Sequence, residues 1–133
     1  MAESQAHKSM KAIVRRELER ERYAIIEEPL IPPQGVAWTS YRPDLLAYRA
    51  EDGTEEMVLV ECETHPSMRK LEAKNVGSAW FQSHLSSEGS LRRILAVPQG
   101  RLRAVDMRVR GAWEVWVIGS SSPLGRFPAQ RIG

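Results

Sequence analysis

Three carboxylates stand where a strand pattern calls for neutral residues: Asp44, Glu61 and Glu63. Asp44 follows Pro43 at the mouth of a short strand, Leu45 to Arg49. Glu61 and Glu63 end the apolar run that begins at Met57. Between the two strands, Glu51-Asp52-Gly53-Thr54 carries the Asp-Gly hairpin signal. A hairpin pairs its strands antiparallel, so the start of the first lies beside the end of the second, and Asp44 is expected next to Glu61. Strand period two sets Glu61 and Glu63 on one face with Cys62 opposite. Clustered carboxylates repel and raise one another's pKa unless positive charge sits between them. A hard divalent cation satisfies that need, because Mg²⁺ takes oxygen ligands from one or two carboxylates, water and phosphate. Such an ion polarises a phosphodiester and activates water. Any one of these acids alone reads better as a solvated strand end, paired with Arg42 or Lys70. Three on two paired strands favour the metal site.

The elements that must hold these acids follow from periodicity. Met10, Ile13, Val14 and Leu18 recur at helical spacing between Ser9, a plausible N-cap, and Arg22. Tyr23 to Ile26 begins a strand, and Pro29, Pro32, Pro33 and Gly35 then break the backbone. Met57 to Cys62 is apolar on both faces up to Val60, the mark of a central strand covered on both sides. Thr64 or Ser67 caps a second helix running to about His84. Arg93 to Val97 is a further strand and Ala112 to Ile118 a last one; between them, Leu102, Val105 and Val109 fit a short helix over 101–110, the preferred reading, while Leu102, Ala104, Met107 and Val109 also fit strand alternation. Residues 1–8 and 119–133 read as irregular tails of a single domain spanning 1–133. The order is helix, three strands, helix, strand, short helix, strand: an α/β fold with a mixed central sheet flanked by helices.

Composition narrows the function classes. The chain has 133 residues, 42% apolar and 27% charged, ordinary for a globular protein with its own core. No run approaches eighteen apolar residues, so no membrane partner is expected. No secretory signal is readable, and the single cysteine, Cys62, permits no intrachain disulfide. Both fit a reducing cytoplasmic setting. The net charge of +2 hides an asymmetry. Residues 1–66 hold 8 Lys/Arg against 13 Asp/Glu, and residues 67–133 hold 11 against 4. Most of the basic residues are arginine, the side chain suited to bidentate phosphate contact.

Pro43-Asp44, followed by Val58-Leu59-Val60-Glu61-Cys62-Glu63 and a predicted helix, resembles the PD-(D/E)xK nuclease superfamily. The element order likewise resembles that superfamily's restriction-endonuclease-like αβββαβ core. The nearest likeness in architecture is to the small archaeal Holliday-junction resolvase-like members, over roughly residues 9–118. By this resemblance Asp44 and Glu61 take the metal-binding acid positions. Glu63 falls where the superfamily usually has lysine. In some members that lysine sits on the following helix, where Lys70 and Lys74 stand here. The superfamily often adds a glutamate from the first helix, for which Glu17 is the candidate and Glu21 the second choice.

The resemblance implies a metal-dependent endonuclease that hydrolyses DNA phosphodiester bonds, with branched or junction DNA as one substrate form. Asp44, Glu61, Glu63 and Glu17 would hold Mg²⁺ or Mn²⁺, and Lys70 or Lys74 would assist. Arg42, Arg69, Arg101 and Arg103 would contact DNA phosphates. Resolvases act as two-fold dimers, so a homodimer is expected. The alternative is a catalytically degenerate nuclease fold serving as a nucleic-acid-binding or assembly module, which Glu63 in place of lysine favours. A third reading makes the acids an ordinary salt-bridge network. His65 and His84 read as polar loop and helix-end residues, and the tryptophans as packing, with Trp38 a candidate for base stacking.

Overall fold

A computed structural model of the chain describes residues 4–27, 43–66, 90–101 and 113–128. Within them the helix α1 spans Gln5–Arg20. Ser4 caps it, its hydroxyl oxygen accepting the His7 backbone N–H at 3.1 Å. The helix therefore begins before the expected Ser9, and residues 4–8 belong to it and its cap. Met10, Ile13, Val14 and Leu18 are all buried, as their spacing predicts, and Lys11 is buried with them. The helix closes in a Schellman turn. Tyr23 N–H donates to the Leu18 carbonyl at 3.1 Å and Arg22 N–H to that of Glu19 at 3.0 Å, with Arg22 left-handed at φ 71°. That turn drops the buried Tyr23 onto the sheet, at the start of β1.

The strands are β1 (Ala24–Glu27), β2 (Leu45–Glu51), β3 (Thr54–Cys62), β4 (Ser90–Pro98), β5 (Glu114–Ile118) and β6 (Pro123–Phe127). They form one six-stranded sheet in the order β1-β2-β3-β4-β5-β6. The pairs β1/β2, β2/β3 and β5/β6 are antiparallel, and β3/β4 and β4/β5 are parallel. The mixed sheet of an α/β fold is thus present, with one helix among the described residues. Parallel neighbours need crossover connections of a dozen or so residues. The expected helices after Thr64 and over 101–110 fall on the connecting segments, residues 67–89 and 102–112, which lie outside the described residues.

Asp52 (φ 51°) and Gly53 (φ 79°) both sit at positive φ, the two-residue primed turn that the Asp-Gly pair announces. The turn fixes the register, with Leu45 opposite Val60 and Tyr48 opposite Met57. Val58, Val60 and Cys62 face α1, in one core with Leu45, Ala47, Ile94, Ala96, Trp116 and Ile118. Leu59 packs with Leu46 on the other face, and Leu95, Val97, Trp113 and Val115 form a further cluster. Strand β3 is thus central and covered on both sides. Each fully buried Leu or Val side chain contributes about 1.5–3 kcal/mol. The last strand corrects the expectation of an irregular tail beyond residue 118. A turn closed by Gly119 N–H on the Ser122 carbonyl, at 2.8 Å, brings Pro123 back against β5. Proline opens a strand without cost when its missing donor faces the edge, so Pro123 and Gly125 hid a strand that they do not prevent.

Candidate functional site

The end of the β2/β3 hairpin is built by the carboxylate of Asp44. The ladder runs regularly to Leu45 and Val60, with Asp44 and Glu61 the next residues. There the pairing changes. Asp44 N–H donates to the Val60 carbonyl at 3.1 Å, and its Oδ2 accepts the Cys62 N–H at 2.8 Å. The Cys62 carbonyl faces His7 Nε2 at 3.0 Å, and the same nitrogen lies 3.4 Å from Asp44 Oδ2. A carbonyl only accepts, so His7 carries its proton on Nε2. The ring therefore bridges the first turn of α1 to the end of β3 and points an N–H at the Asp44 carboxylate. Glu61 is 1% exposed and alternates with the α1-facing Cys62, so it shares the face of Leu59. Glu63 is half-buried just past the strand and extends the parallel ladder through its N–H to the Ala96 carbonyl at 2.9 Å.

The structure does not bring Glu17 to this corner. Ten residues separate it from His7, about 15 Å along the helix. It pairs instead with Arg20 at 3.0 Å and Arg126 at 3.4 Å. Glu21 goes the same way, 3.5 Å from Arg126. The first-helix side chain that reaches Asp44 is His7, which lay in the stretch read as a tail. Arg101 is exposed, in a turn where its N–H donates to the Pro98 carbonyl at 3.0 Å. Arg42, Arg69, Lys70, Lys74 and Arg103 lie outside the described residues, as do Trp38 and His84. Among the described residues no three His, Cys, Asp or Glu side chains form a group able to hold a metal ion. Glu61 lies on the Leu59 face, whereas the Asp44 carboxylate turns to the Cys62 N–H and to His7 of α1.

The other end of the sheet carries a second polar assembly that the sequence did not announce. Arg92 forks onto Glu114, Nε on Oε2 and Nη2 on Oε1, both at 2.7 Å. Trp116 Nε1 also donates to Glu114 Oε1 at 2.7 Å. The Arg126 guanidinium stacks 3.9 Å from the Trp116 ring. Arg49 binds Glu56 at 2.7 Å and lies over Tyr23, whose hydroxyl also donates to Glu56. Burial pushes the Glu114 carboxyl up, but the bonds from Arg92 and Trp116 outweigh it and hold it below its ordinary value. The Glu114 bond, opposed by burial, raises Arg92. Burial, then the bond to Glu56, raises the Tyr23 phenol. Arg92 and Arg126 are committed to carboxylates here. This cluster is structural, and part of the basic second half neutralises acids of the first.

A six-stranded mixed sheet with one helix on its face, among the described residues, defines an α/β fold. Family models and curated proteins yield no match to the chain. Two solved structures share its fold: an XisH family protein from Nostoc punctiforme PCC 73102 and an fdxN element excision controlling factor protein from Anabaena variabilis. The TM-score is 0.54 for each, with 14% and 12% identity. Both alignments cover 90% of this chain and 98% of the other.

Proposed function

We propose that this protein acts on DNA as a metal-dependent endonuclease of the nuclease-like fold, working as a homodimer. The observation that carries the reading is the register of the hairpin. The ladder ends at Leu45 and Val60, with Asp44 and Glu61 the next residues of the two strands at the carboxyl end of β3. That neighbourhood supports the PD-(D/E)xK resemblance. The excision-control name of one structural neighbour is consistent with a DNA-directed role.

In this reading Asp44 and Glu61, with Glu63 next to them, would hold Mg²⁺ or Mn²⁺. The ion would supply Lewis-acid stabilisation of the phosphoryl oxygens and a water of lowered pKa. The chain's own part is preorganisation. The Cys62 N–H fixes one Asp44 oxygen, and the His7 N–H approaches the same oxygen. The second oxygen is therefore the one to present outward. The burial of Glu61 limits its side chain to few rotamers. Exposed basic residues such as Arg101 would position the duplex through its phosphates.

A second reading has a specific observation behind it. Glu63 stands where lysine is usual, and Asp44 already serves as the cap of β3. A fold that has lost catalysis would keep Asp44 for that structural bond and bind DNA, or an assembly partner, without cutting. The deciding experiment incubates plasmid, single-stranded DNA and four-way junctions with the protein in Mg²⁺, Mn²⁺ or EDTA. Asp44→Ala and Glu61→Gln are run alongside, with thermal melts to confirm that they fold. Cleavage that EDTA stops and both variants lose by about a hundredfold or more supports the enzyme. Salt-sensitive binding without cleavage supports the second reading. Equal cutting by wild type and variants sinks the proposed site, and the absence of both binding and cleavage sinks both readings.

A further inference from the structure

Beside the Asp44–Glu61 corner lies a cavity of about 390 Å³. It opens on the edge of the sheet where β3, β4 and β5 end, between those ends and the first half of α1. The chain builds it with two turns. Gly100, at φ 89°, takes the left-handed conformation that swings Arg101 off the end of β4. Gln99 N–H ties that turn to the Ile118 carbonyl at 3.1 Å. The floor is apolar: Met10 and Ile13 from α1 and Ile118 from β5, all buried. The polar lining residues are Ser9, Thr64, His65, Arg101 and Ser120. No carboxylate is among the described lining residues.

We infer that this cavity receives a single unstacked nucleobase of the bound DNA strand, with Arg101 on the adjoining phosphate. The inference rests on the DNA-directed reading above and adds a substrate subsite to it. Three features argue for this occupant. The volume falls at the small end of sites that take small molecules, suited to a compact flat group. Among the described lining residues Arg101 gives a cationic balance, which matches a phosphate-linked group, and a guanidinium is the side chain built for that anion. The cavity is also continuous with the candidate site. Thr64 and His65 follow Glu63 directly, and Ala6, also on the lining, precedes His7. Asp44 lies 3.4 Å from His7, the neighbour of Ala6, so a strand passing Asp44 has its neighbouring nucleotides at the mouth. The floor residues Met10, Ile13 and Ile118 are apolar, and methionine adapts to an aromatic face, so the floor meets the base by its flat face and not by its hydrogen-bonding edge.

The test uses the full chain in EDTA, so that cutting plays no part. Four-way junctions and single strands carry 2-aminopurine at successive positions, and its fluorescence rises when the base leaves the stack. Anisotropy of an end label reports binding independently. The expected result is a several-fold rise in fluorescence at one position, or two adjacent ones, at saturating protein. Ala6→Trp, an exposed helix position at the mouth, should abolish the rise while the end-label anisotropy still shows binding at saturating protein. Arg101→Ala should weaken binding, and flatten its salt dependence, without changing the thermal melt. Binding with 2-aminopurine quenched at every position overturns the base pocket and leaves the DNA-directed reading standing. A rise that survives Ala6→Trp also overturns it. No binding at all overturns both.

Discussion

Replacing Glu114 by glutamine tests whether the Arg92–Glu114–Trp116 assembly stabilises the fold by charge. Glu114 accepts three hydrogen bonds at 2.7 Å, two from Arg92 and one from Trp116. Glutamine keeps one oxygen and turns the other into a donor. With that oxygen under Trp116 and Arg92 Nη2, the amide nitrogen faces Arg92 Nε, donor against donor. One bond to a charged group is lost, and the guanidinium stays half-buried without its counter-charge. Bonds to charged groups are worth about 1.5–3 kcal/mol. The side chains of Arg92 and Glu114 are 27% and 17% exposed, so solvent screening trims the loss to about 2 kcal/mol at neutral pH. For a chain of this length that is a fall in Tm of roughly 8 °C. The pH dependence is the sharper readout. The folded carboxyl is held below its ordinary value of 4.5. Its stabilisation is therefore complete above the unfolded pKa and is lost as the pH falls through the folded one. Below that point the wild-type side chain is neutral, like glutamine. Urea titrations from pH 7 to pH 3 should show a gap between the two proteins that closes on acidification. A gap under about 0.5 kcal/mol at pH 7, or one that stays constant down to pH 3, refutes the argument.

Two further outcomes follow from the backbone. Arg22 pays for a left-handed conformation at φ 71° in the turn that ends α1. Arg22→Gly should raise stability by about 0.5–1 kcal/mol in urea unfolding, less whatever the glycine adds to unfolded-chain entropy. Gly53 sits at φ 79° with open space around the position of a Cβ. Gly53→Ala should cost about 1 kcal/mol through backbone strain alone, leaving the hairpin register and its amide shifts unchanged away from the turn.

The sequence by itself determined what is local. Periodicity marked the buried stripe of α1, because helical geometry repeats every 3.6 residues whatever lies opposite. The Asp-Gly pair set the hairpin, since only residues tolerant of positive φ close a two-residue turn. That turn in turn set Leu45 opposite Val60, so the strand ends that carry Asp44 and Glu61 were legible as neighbours from a few adjacent residues. It did not decide which first-helix group would meet Asp44. Glu17 bordered the buried stripe and was the better candidate by type. The direction of α1 over the sheet instead put its first turn, and His7, at the carboxyl ends of the strands. Nor did it show that Arg92, Glu114, Trp116 and Arg126 would converge. They come from three strands, and two of those strands are joined by a crossover. The cavity beside Arg101 belongs to the same class. It exists because two turns and a helix end leave space between them, and empty space is a property of the assembled layers that no segment of chain encodes alone.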